Sequence, residues 1–144
     1  MRFTVIILTK NRDKYLKVAL RSVLIQKFKP FSVIVIDNAG SYKTKRVVKT
    51  TFLKKQKHIY KKILNIKNVS TLRNIASKIA KTDYLAFLDD DDYLDKNYLF
   101  KINKDLKKNK YDMIISNIKR VDGKIKSKFT FFNDKTCLKI KDFL

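Results

Sequence analysis

The chain has 144 residues, of which 44% are hydrophobic; this is enough for one domain with a buried core and too many for a disordered chain. Its 35 Lys and Arg residues against 13 acidic residues give a formal net charge of +22, which favours anionic partners such as nucleic acid, phosphorylated ligands or an anionic membrane surface. The single Cys137 and the single His58 exclude an internal disulfide and a zinc site built from several such residues.

Short apolar runs alternate with longer amphipathic stretches along the chain. The runs predict strands, and apolar residues spaced i, i+3, i+4 predict helices. Asp95 is expected to cap the last helix, and Asp122-Gly123 predicts a hairpin turn beyond the last strand. In chain order we predict strand Phe3–Leu8, helix Asp13–Gln26, strand Ser32–Ile36, helix Lys43–Lys54, strand His58–Ile63, helix Val69–Ala80, strand Tyr84–Leu88, helix Asp95–Lys107 and strand Tyr111–Ile118.

This alternation predicts an α/β fold, a three-layer sandwich with a mostly parallel central sheet that helices cover on both faces. Ligands of such sheets bind outside the carboxyl ends of the strands. The loops after Leu8, Ile36 and Leu88 are therefore where we expect a site. The apolar run at the start, Val5 to Leu8, is too short for a signal peptide or a membrane span, so we expect a cytoplasmic location.

Four consecutive carboxylates, Asp89 to Asp92, follow directly on the strand that ends at Leu88. Like charges this close together need a positive partner. Mg²⁺ and Mn²⁺ take oxygen ligands, often one or two carboxylates together with substrate phosphates. The alternative is a solvated acidic loop that the dipole of the next helix stabilises. Taken alone, the four residues favour metal binding over that alternative.

Polar residues also follow the first two strands. Thr9 and Asn11 can hydrogen-bond a base or a ribose and Arg12 can meet a phosphate, or Asn11 can simply cap the helix that follows. Asp37 can accept a hydrogen bond from a base or a sugar, or it can close an Asx turn. Arg73 can pair with the acidic loop or with a diphosphate, or it can be an ordinary exposed helix residue. Taken alone, the capping role is favoured for the first loop and the ordinary helix residue is favoured for Arg73, whereas Asp37 is undecided.

Taken together and in order, the segments resemble the family 2 glycosyltransferases of the GT-A, Rossmann-like fold. The opening VIILTKNRDKYLKVALRSVLIQKF resembles the first strand, Asn-Arg loop and first helix of that family. PFSVIVIDNAGS is similar to its second strand with a terminal Asp, and NVSTLRNIASKIAKTDYLAFLDDDD is similar to the stretch that leads to its D-x-D motif. The agreement covers about residues 3 to 118, and the ordered set is far more specific than any single piece.

The resemblance implies a metal-dependent enzyme that moves a sugar from a nucleoside-diphosphate sugar, a UDP-sugar by default, to a saccharide or lipid-linked acceptor, with inversion. It implies Mn²⁺ or Mg²⁺ as the cofactor. It also implies roles for residues of the strand ends and of the acidic loop. Thr9, Asn11 and Arg12 would line the nucleotide pocket, Asp37 would accept from the base, Arg73 would support the diphosphate, Asp89 and Asp90 would approach the ribose or the sugar, and Asp91 with Asp89 would hold the metal.

The sequence departs from the family pattern at two places. Asn68 stands where the family usually has Gly, and we expect it to preserve the turn because Asn tolerates left-handed backbone. Inverting members use a general-base carboxylate downstream of the D-x-D motif. The residues after Ile118 offer only Asp122, Asp134 and Asp142, and none matches that base, so we assign no catalytic base.

We therefore expect residues 1–118 to be the nucleotide-sugar-binding part of a single domain, and residues 119–144 to begin an acceptor-side region that is truncated or minimal. The alternative function is a nucleotide-sugar-binding module, truncated or dependent on a partner, with little turnover of its own. Nucleic acid is not an expected partner, because the aromatic residues fall within strands and apolar helix faces and the acidic loop would repel phosphate. The basic surface is expected to make peripheral contact with the inner face of the cell membrane.

Overall fold

The computed structural model describes residues 2–29, 31–52, 56–109 and 111–116, together with the backbone of residues 118–122 and 125–129. The chain divides into two compact units, Met1–Asn103 and Lys104–Leu144. The boundary between them falls inside a helix. The predicted functional division, into residues 1–118 and 119–144, stays a prediction.

The first unit alternates strands with helices, as the apolar periodicity predicts. Its last helix, α4, begins in the first unit and ends in the second. The elements are β1 (Phe3–Thr9), α1 (Asp13–Leu24), β2 (Phe31–Asn38), α2 (Tyr42–Phe52), β3 (His58–Ile63), α3 (Val69–Ile79), β4 (Tyr84–Asp89) and α4 (Tyr98–Lys108).

The four strands of this unit form one parallel sheet in the order β3-β2-β1-β4. The chain moves outward from β1 to β3 and then returns to the other side of β1. Because parallel crossovers are right-handed, this reversal places α3 on the face opposite to α1 and α2. An α/β fold with helices on both faces of a parallel sheet is thus confirmed.

The core lies on both faces of the two central strands. Ile6, Ile34 and Ile36 form one buried cluster with Leu72 and Ala76 of α3. Because successive side chains of a strand point to opposite faces, the alternate residues of β1 and β2 face the other way. Those residues, Val5, Ile7, Val33 and Val35, are fully buried as well.

Strand β4, at the end of the sheet order, is not fully covered by other elements in the described part of the chain, whereas we predicted a strand buried on both faces. Leu85 is 38% exposed and Phe87 is 50% exposed, whereas Leu88 is buried. An edge strand has a neighbour on one side only, so less of its surface is covered. Phe87 instead lies under the guanidinium of Arg73, whose Cζ is 5.8 Å from the ring centroid.

The fifth predicted strand, Tyr111–Ile118, is wrong for residues 111–116. Residues 111–116 contain neither strand nor helix, and Met113 and Ile115 are exposed. Strand propensity depends on packing against neighbours, and these two apolar side chains are only partly covered. The hairpin that we predict around Asp122-Gly123 is confirmed, because β5 (Ile118–Asp122) pairs antiparallel with β6 (Ile125–Phe129). Asp134, Cys137 and Asp142 lie outside the described residues.

The start of α4 and the backbone before α3 differ from the prediction, whereas α3 itself begins at Val69 as predicted. Asp95 does not cap α4 directly, since the helix begins three residues later, at Tyr98; its carboxylate instead accepts a hydrogen bond from the backbone N–H of Asn97 at 2.9 Å. Asn68 is not left-handed but extended, with φ −85° and ψ 114°, and its side chain caps α3 by accepting from the backbone N–H of Ser70.

In the described part of the chain, no helix is long and apolar enough to cross a membrane.

Candidate functional site

The parallel register brings the three predicted loops to one edge of the sheet. Thr9, the last residue of β1, is level with Asp37 of β2, and its neighbour Leu8 is level with Asp89 of β4. The chain reverses its direction of progress across the sheet between β1 and β4, and the crevice at such a point is where open α/β sheets bind ligands. The first loop, residues 10–12 after β1, and the acidic loop, Asp89 to Asp92, flank this crevice. The second loop, residues 39–41, follows β2.

Arg12 links the first loop to the acidic loop. Its Nη1 lies 2.8 Å from Oδ2 of Asp91 and 3.2 Å from Oδ1 of Asp90. Asp90 is buried and Asp91 is half exposed, so the guanidinium reaches from solvent to the base of the loop. The hydrogen bond to Asp90 and the charges of Asp90 and Asp91 raise the pKa of Arg12. This residue therefore supplies the positive partner that adjacent carboxylates require.

Arg73, on α3, meets the same loop from the other side of the sheet. Its Nη2 lies 3.2 Å from Oδ1 of Asp89 while its guanidinium covers the Phe87 ring. The alternative of an ordinary exposed helix residue is thus the weaker one. Partial desolvation raises the pKa of Asp92, and repulsion from Asp91 and Asp89 raises it further. Negative charge is accordingly concentrated at the loop beyond what the arginines offset.

Asp37 is fully buried, unlike the acidic loop. Its Oδ1 accepts a hydrogen bond from the backbone N–H of Gly40 at 2.7 Å, and its Oδ2 accepts one from the Tyr60 hydroxyl of β3. A Cβ on Gly40 would lie 2.1 Å from Asp37 Oδ1, so only glycine fits against the carboxylate. Burial beside Asp37 raises the pKa of Tyr60. Asp37 thus closes the turn after β2, the second of its two predicted roles, and its contact with a base stays a prediction.

Two residues at this edge have left-handed backbone. Asn11 has φ 54° and Ala39 has φ 60°. Asn is common in this region, whereas Ala is uncommon there. The Asn11 carboxamide oxygen accepts a hydrogen bond from the backbone N–H of Ser41 at 2.9 Å, and the Ala39 N–H donates to the carbonyl of Ile63 at 2.8 Å. The Asn11 side chain therefore joins the first loop to the second, the Ala39 N–H joins the second loop to β3, and Asn11 does not cap α1.

Thr9 carries a buried hydroxyl for which no partner exists among the described residues. The residue is 4% exposed, and its Oγ1 makes no hydrogen bond within that part of the chain. Buried polar groups are nearly always hydrogen-bonded, and an unsatisfied one costs about 1–3 kcal/mol. Its position at the carboxyl end of β1 is consistent with a ligand atom or a water as the missing partner.

Sequence reasoning missed several residues that shape this edge. In the sequence, Tyr60 is only one residue of a predicted strand and Ala39 only one residue of a predicted turn. The structure shows that Tyr60 holds Asp37 and that Ala39 holds the second loop. Thr44 also bonds Asp13 across α2 and α1, with Oγ1 2.8 Å from Oδ1. Knowledge of the strand register would have identified Tyr60, because it pairs with Val35, which is two residues before Asp37 on the adjacent strand.

The donor set fits a divalent metal only in part. Carboxylate oxygens are the ligands that Mg²⁺ and Mn²⁺ prefer, and Asp89 and Asp91 present them at a half-exposed loop. Within the described ranges, however, no three Asp, Glu, His or Cys side chains converge as a group that could hold a metal ion. The residues therefore fit a cation that takes its remaining ligands from a bound phosphate or from water.

Comparisons with known proteins find relatives among glycosyltransferases. The chain is 30% identical over 136 residues to the poly(ribitol-phosphate) beta-N-acetylglucosaminyltransferase TarS of Staphylococcus aureus; the match covers 86% of this chain and 22% of TarS. It is also 37% identical over 99 residues, which are 66% of this chain, to an uncharacterized glycosyltransferase of Rickettsia conorii. This chain thus spans about a fifth of the length of these curated relatives.

Solved structures share the fold. The structure of S. aureus TarS 1-349 in complex with UDP-GlcNAc has a TM-score of 0.80 and 28% sequence identity, covering 86% of this chain and 36% of that one. The complex of the same protein with UDP has the same TM-score and identity. The profile of Glycosyl transferase family 2 matches residues 4–136, nearly the whole chain. The chain therefore belongs to glycosyl transferase family 2.

Proposed function

We propose that the chain binds a nucleoside-diphosphate sugar, with UDP as the default nucleotide, at the carboxyl edge of β1, β2 and β4. The observation that carries the proposal is the pairing of Arg12 and Arg73 with Asp89 to Asp91 at that edge. Cationic groups suited to a diphosphate and oxygen ligands suited to a metal thus meet in one place. The choice of UDP is supported by TarS, which was solved with UDP and with UDP-GlcNAc.

In this proposal the two arginines change partners when the donor binds. A guanidinium can form two parallel hydrogen bonds with phosphate oxygens, so Arg12 and Arg73 would turn from the carboxylates to the diphosphate. Asp91, with Asp89, would then be free to hold Mn²⁺ or Mg²⁺. When bound, the metal would supply Lewis-acid neutralisation of the charge on the departing nucleoside diphosphate.

The remaining predicted residues would shape the nucleotide pocket. The hydroxyl of Thr9, which has no partner among the described residues, could bond a ribose or base atom, and Asn11 holds the first loop against the second. Asp90, largely buried, would approach the ribose or sugar from the base of its loop. The carboxylate oxygens of Asp37 each have a second lone pair, with which Asp37 would accept from the base.

Calorimetric titration tests the proposal. UDP, GDP, CDP and dTDP are titrated into the chain with and without Mn²⁺, and we expect one nucleotide to bind only when the metal is present. Asp91→Ala should abolish that binding. Asp83→Ala is the matched control, because Asp83 also pairs with an arginine, Arg2, but precedes β4 at the opposite edge of the sheet. Failure of all four nucleotides to bind with Mn²⁺ would contradict the proposal.

Transfer of the sugar to a saccharide or lipid-linked acceptor, with inversion and at the inner face of the membrane, is the fuller form of the proposal. The second candidate is a nucleotide-sugar-binding module with little turnover, since binding needs only the arginines and carboxylates that meet at the carboxyl edge of the sheet. Release of UDP from UDP-GlcNAc with and without an acceptor separates the two. Metal-dependent binding without release of UDP would favour the module.

A further inference from the structure

The acidic loop belongs to a segment without regular structure. Residues 90–97, between β4 and α4, contain neither helix nor strand, yet they include Asp90 and Asp91. A loop of this kind needs hydrogen bonds from other elements to keep one conformation. At its start, β4 holds it through the register with β1, and the backbone N–H of Asp92 donates to the carbonyl of Asp89 at 3.2 Å.

The end of the segment is held by the carboxyl end of α1. Ser22 Oγ accepts from the backbone N–H of Leu94 at 3.0 Å, and the backbone N–H of Lys27 donates to the carbonyl of Lys96 at 3.0 Å. The Gln26 side chain makes two further bonds to the segment and to the start of α4. Its Nε2 donates to the carbonyl of Asp95 at 2.7 Å, and its Oε1 accepts from the backbone N–H of Leu99 at 3.0 Å.

Gln26 is suited to this place by its chemistry. The side chain is fully buried, so each of its polar atoms needs a partner, and both have one. Nε2 also donates to the carbonyl of Ser22 at 3.1 Å, which ties the amide to its own helix. A neutral amide donates and accepts at once; a carboxylate would lack the donor and would bury a charge. The predicted helix ran to Gln26, but α1 ends at Leu24, and this early end releases Gln26 to reach across.

Both ties to the segment therefore come from α1 and the residues that flank it. Arg12, the N-cap residue of α1, pairs with Asp90 and Asp91, and Ser22 and Gln26 at the other end hold residues 94–99. The helix has 12 residues, which corresponds to roughly 18 Å. The acidic segment is thus fixed along the length of α1. We therefore expect a substitution of Gln26 to alter the positions of the loop carboxylates, although its side chain does not contact them.

We propose that Gln26, assisted by Ser22, is a positioning residue that holds the acidic loop in the conformation that binds the metal and the diphosphate. The inference rests on the proposed function for what the loop binds. What fixes the loop is independent of the proposed function, because it follows from the hydrogen bonds of Gln26 and Ser22 alone.

The test compares Gln26→Met with a matched core variant, Phe52→Leu. Met has a similar volume to Gln but makes neither bond, whereas Phe52 is a fully buried residue of α2 outside the hydrogen bonds of the loop. UDP is titrated in the presence of Mn²⁺ at a temperature at which circular dichroism shows both variants folded. We expect Gln26→Met to weaken binding about tenfold, the loss typical when a group that orients ligands is removed. Phe52→Leu should leave the affinity within about twofold at an equal or larger fall in Tm, as expected for a site without shared partners.

Amide hydrogen exchange supplies a second readout that needs no ligand. We expect Gln26→Met to speed exchange at Asp92, which Gln26 does not touch, as well as at Leu99, and Phe52→Leu to leave Asp92 unchanged. Ser22→Ala, a milder change, should produce the same pattern to a smaller extent. Equal loss of affinity in Gln26→Met and Phe52→Leu would overturn the proposal, and so would unchanged exchange at Asp92. If the wild-type chain binds no nucleotide, the proposed function fails, and exchange at Asp92 still decides whether Gln26 positions the loop.

Discussion

Two carboxylate sites lie at the same edge of the sheet and are built in opposite ways. Asp37 is fully buried, and both of its oxygens accept hydrogen bonds from neutral groups, Gly40 N–H and Tyr60 O–H. The acidic loop is largely exposed, and its negative charge is offset by two partly exposed cations, Arg12 and Arg73. Neutral bonds in a buried place hold a shape, whereas exposed ion pairs are weak and exchange partners readily.

The difference assigns separate tasks to the two sites. Changes around Asp37 should cost stability, because buried polar groups lose partners that water cannot replace. Changes around the acidic loop should alter ligand binding and leave stability nearly untouched. Each of the following substitutions tests one side of this contrast.

The largest effect is expected for Gly40→Ala. The added Cβ would lie 2.1 Å from Asp37 Oδ1, so the turn after β2 must open and the buried carboxylate loses the Gly40 N–H. We expect a loss of about 2–4 kcal/mol in the free energy of unfolding, measured by urea denaturation. Ser41→Ala is the control, since Ser41 is exposed and contributes its backbone N–H to Asn11. A Gly40→Ala variant as stable as wild type would remove the structural task from Asp37.

Tyr60→Phe should have the next largest effect. The substitution removes the hydroxyl that donates to Asp37 and leaves one oxygen of a buried carboxylate with one partner fewer. We expect a loss of about 1–2 kcal/mol in the free energy of unfolding. Because the pKa of Tyr60 is raised in the folded chain, its contribution is complete below the ordinary tyrosine pKa and declines as the pH rises above it.

The measurement is urea denaturation of Tyr60→Phe beside Tyr42→Phe, in which the altered tyrosine is 78% exposed. Tyr42→Phe should match wild type at every pH. The difference between wild type and Tyr60→Phe should be constant up to about pH 9 and shrink at higher pH. A difference that grows with alkaline pH would contradict the assignment of the hydroxyl as a donor to Asp37.

Arg12→Gln tests the other side of the contrast and should change binding in two directions. Without the guanidinium, Asp91 and Asp90 are freer to take a cation, so Mn²⁺ alone should bind about two- to fivefold more tightly. The diphosphate loses a cationic partner, so UDP in the presence of Mn²⁺ should bind more weakly. Calorimetry with Mn²⁺ alone and then with UDP measures both, and Lys10→Gln, beside Arg12 in the same loop but bonded to Asn65, is the control. Changes of the same sign in both titrations would argue against an exchange of partners.

Asp92→Asn should have the smallest effect. The raised pKa of Asp92 means that its ionised form is disfavoured in the folded chain, so at neutral pH the charge lowers stability. Because the residue is exposed, water screens much of this effect, and we expect Asp92→Asn to stabilise the chain by only about 0.3 kcal/mol at pH 7. The gain should vanish as the pH falls below the ordinary Asp value, where wild-type Asp92 is protonated. Thermal unfolding of both proteins at pH 7 and pH 3.5 checks the sign.

Much of the architecture was predictable from local patterns. The continuous apolar runs of β1 and β2 and the helical spacing of α1 and α3 predicted an alternating α/β unit, and the register places Thr9, Asp37 and Asp89 at the carboxyl ends of neighbouring strands. Four adjacent carboxylates after a strand predicted a charged loop that needs cations. Periodicity and like-charge repulsion are properties of a few consecutive residues, so a sequence displays them directly.

Pairings between distant residues could not be predicted in this way. Nothing near Arg12 in the chain indicates that it meets Asp90 and Asp91, 78 and 79 residues away, and nothing near Gln26 indicates that it bonds Asp95 and Leu99. Segment 111–116 shows the converse, because this apolar run pairs with no strand among the described residues and is irregular.

The sequence by itself determined the fold class, which polar residues follow the carboxyl ends of the strands, and the family that the chain resembles. Each of these depends on patterns among residues that are close together in the chain. Only the tertiary structure decided that Asp37 is a buried turn residue held by Tyr60, that Arg12 and Arg73 offset the acidic loop, and that Gln26 ties this loop to α1. Hydrogen bonds and ion pairs depend on separations of about 3 Å between side chains, and these are set by how the helices pack on the sheet.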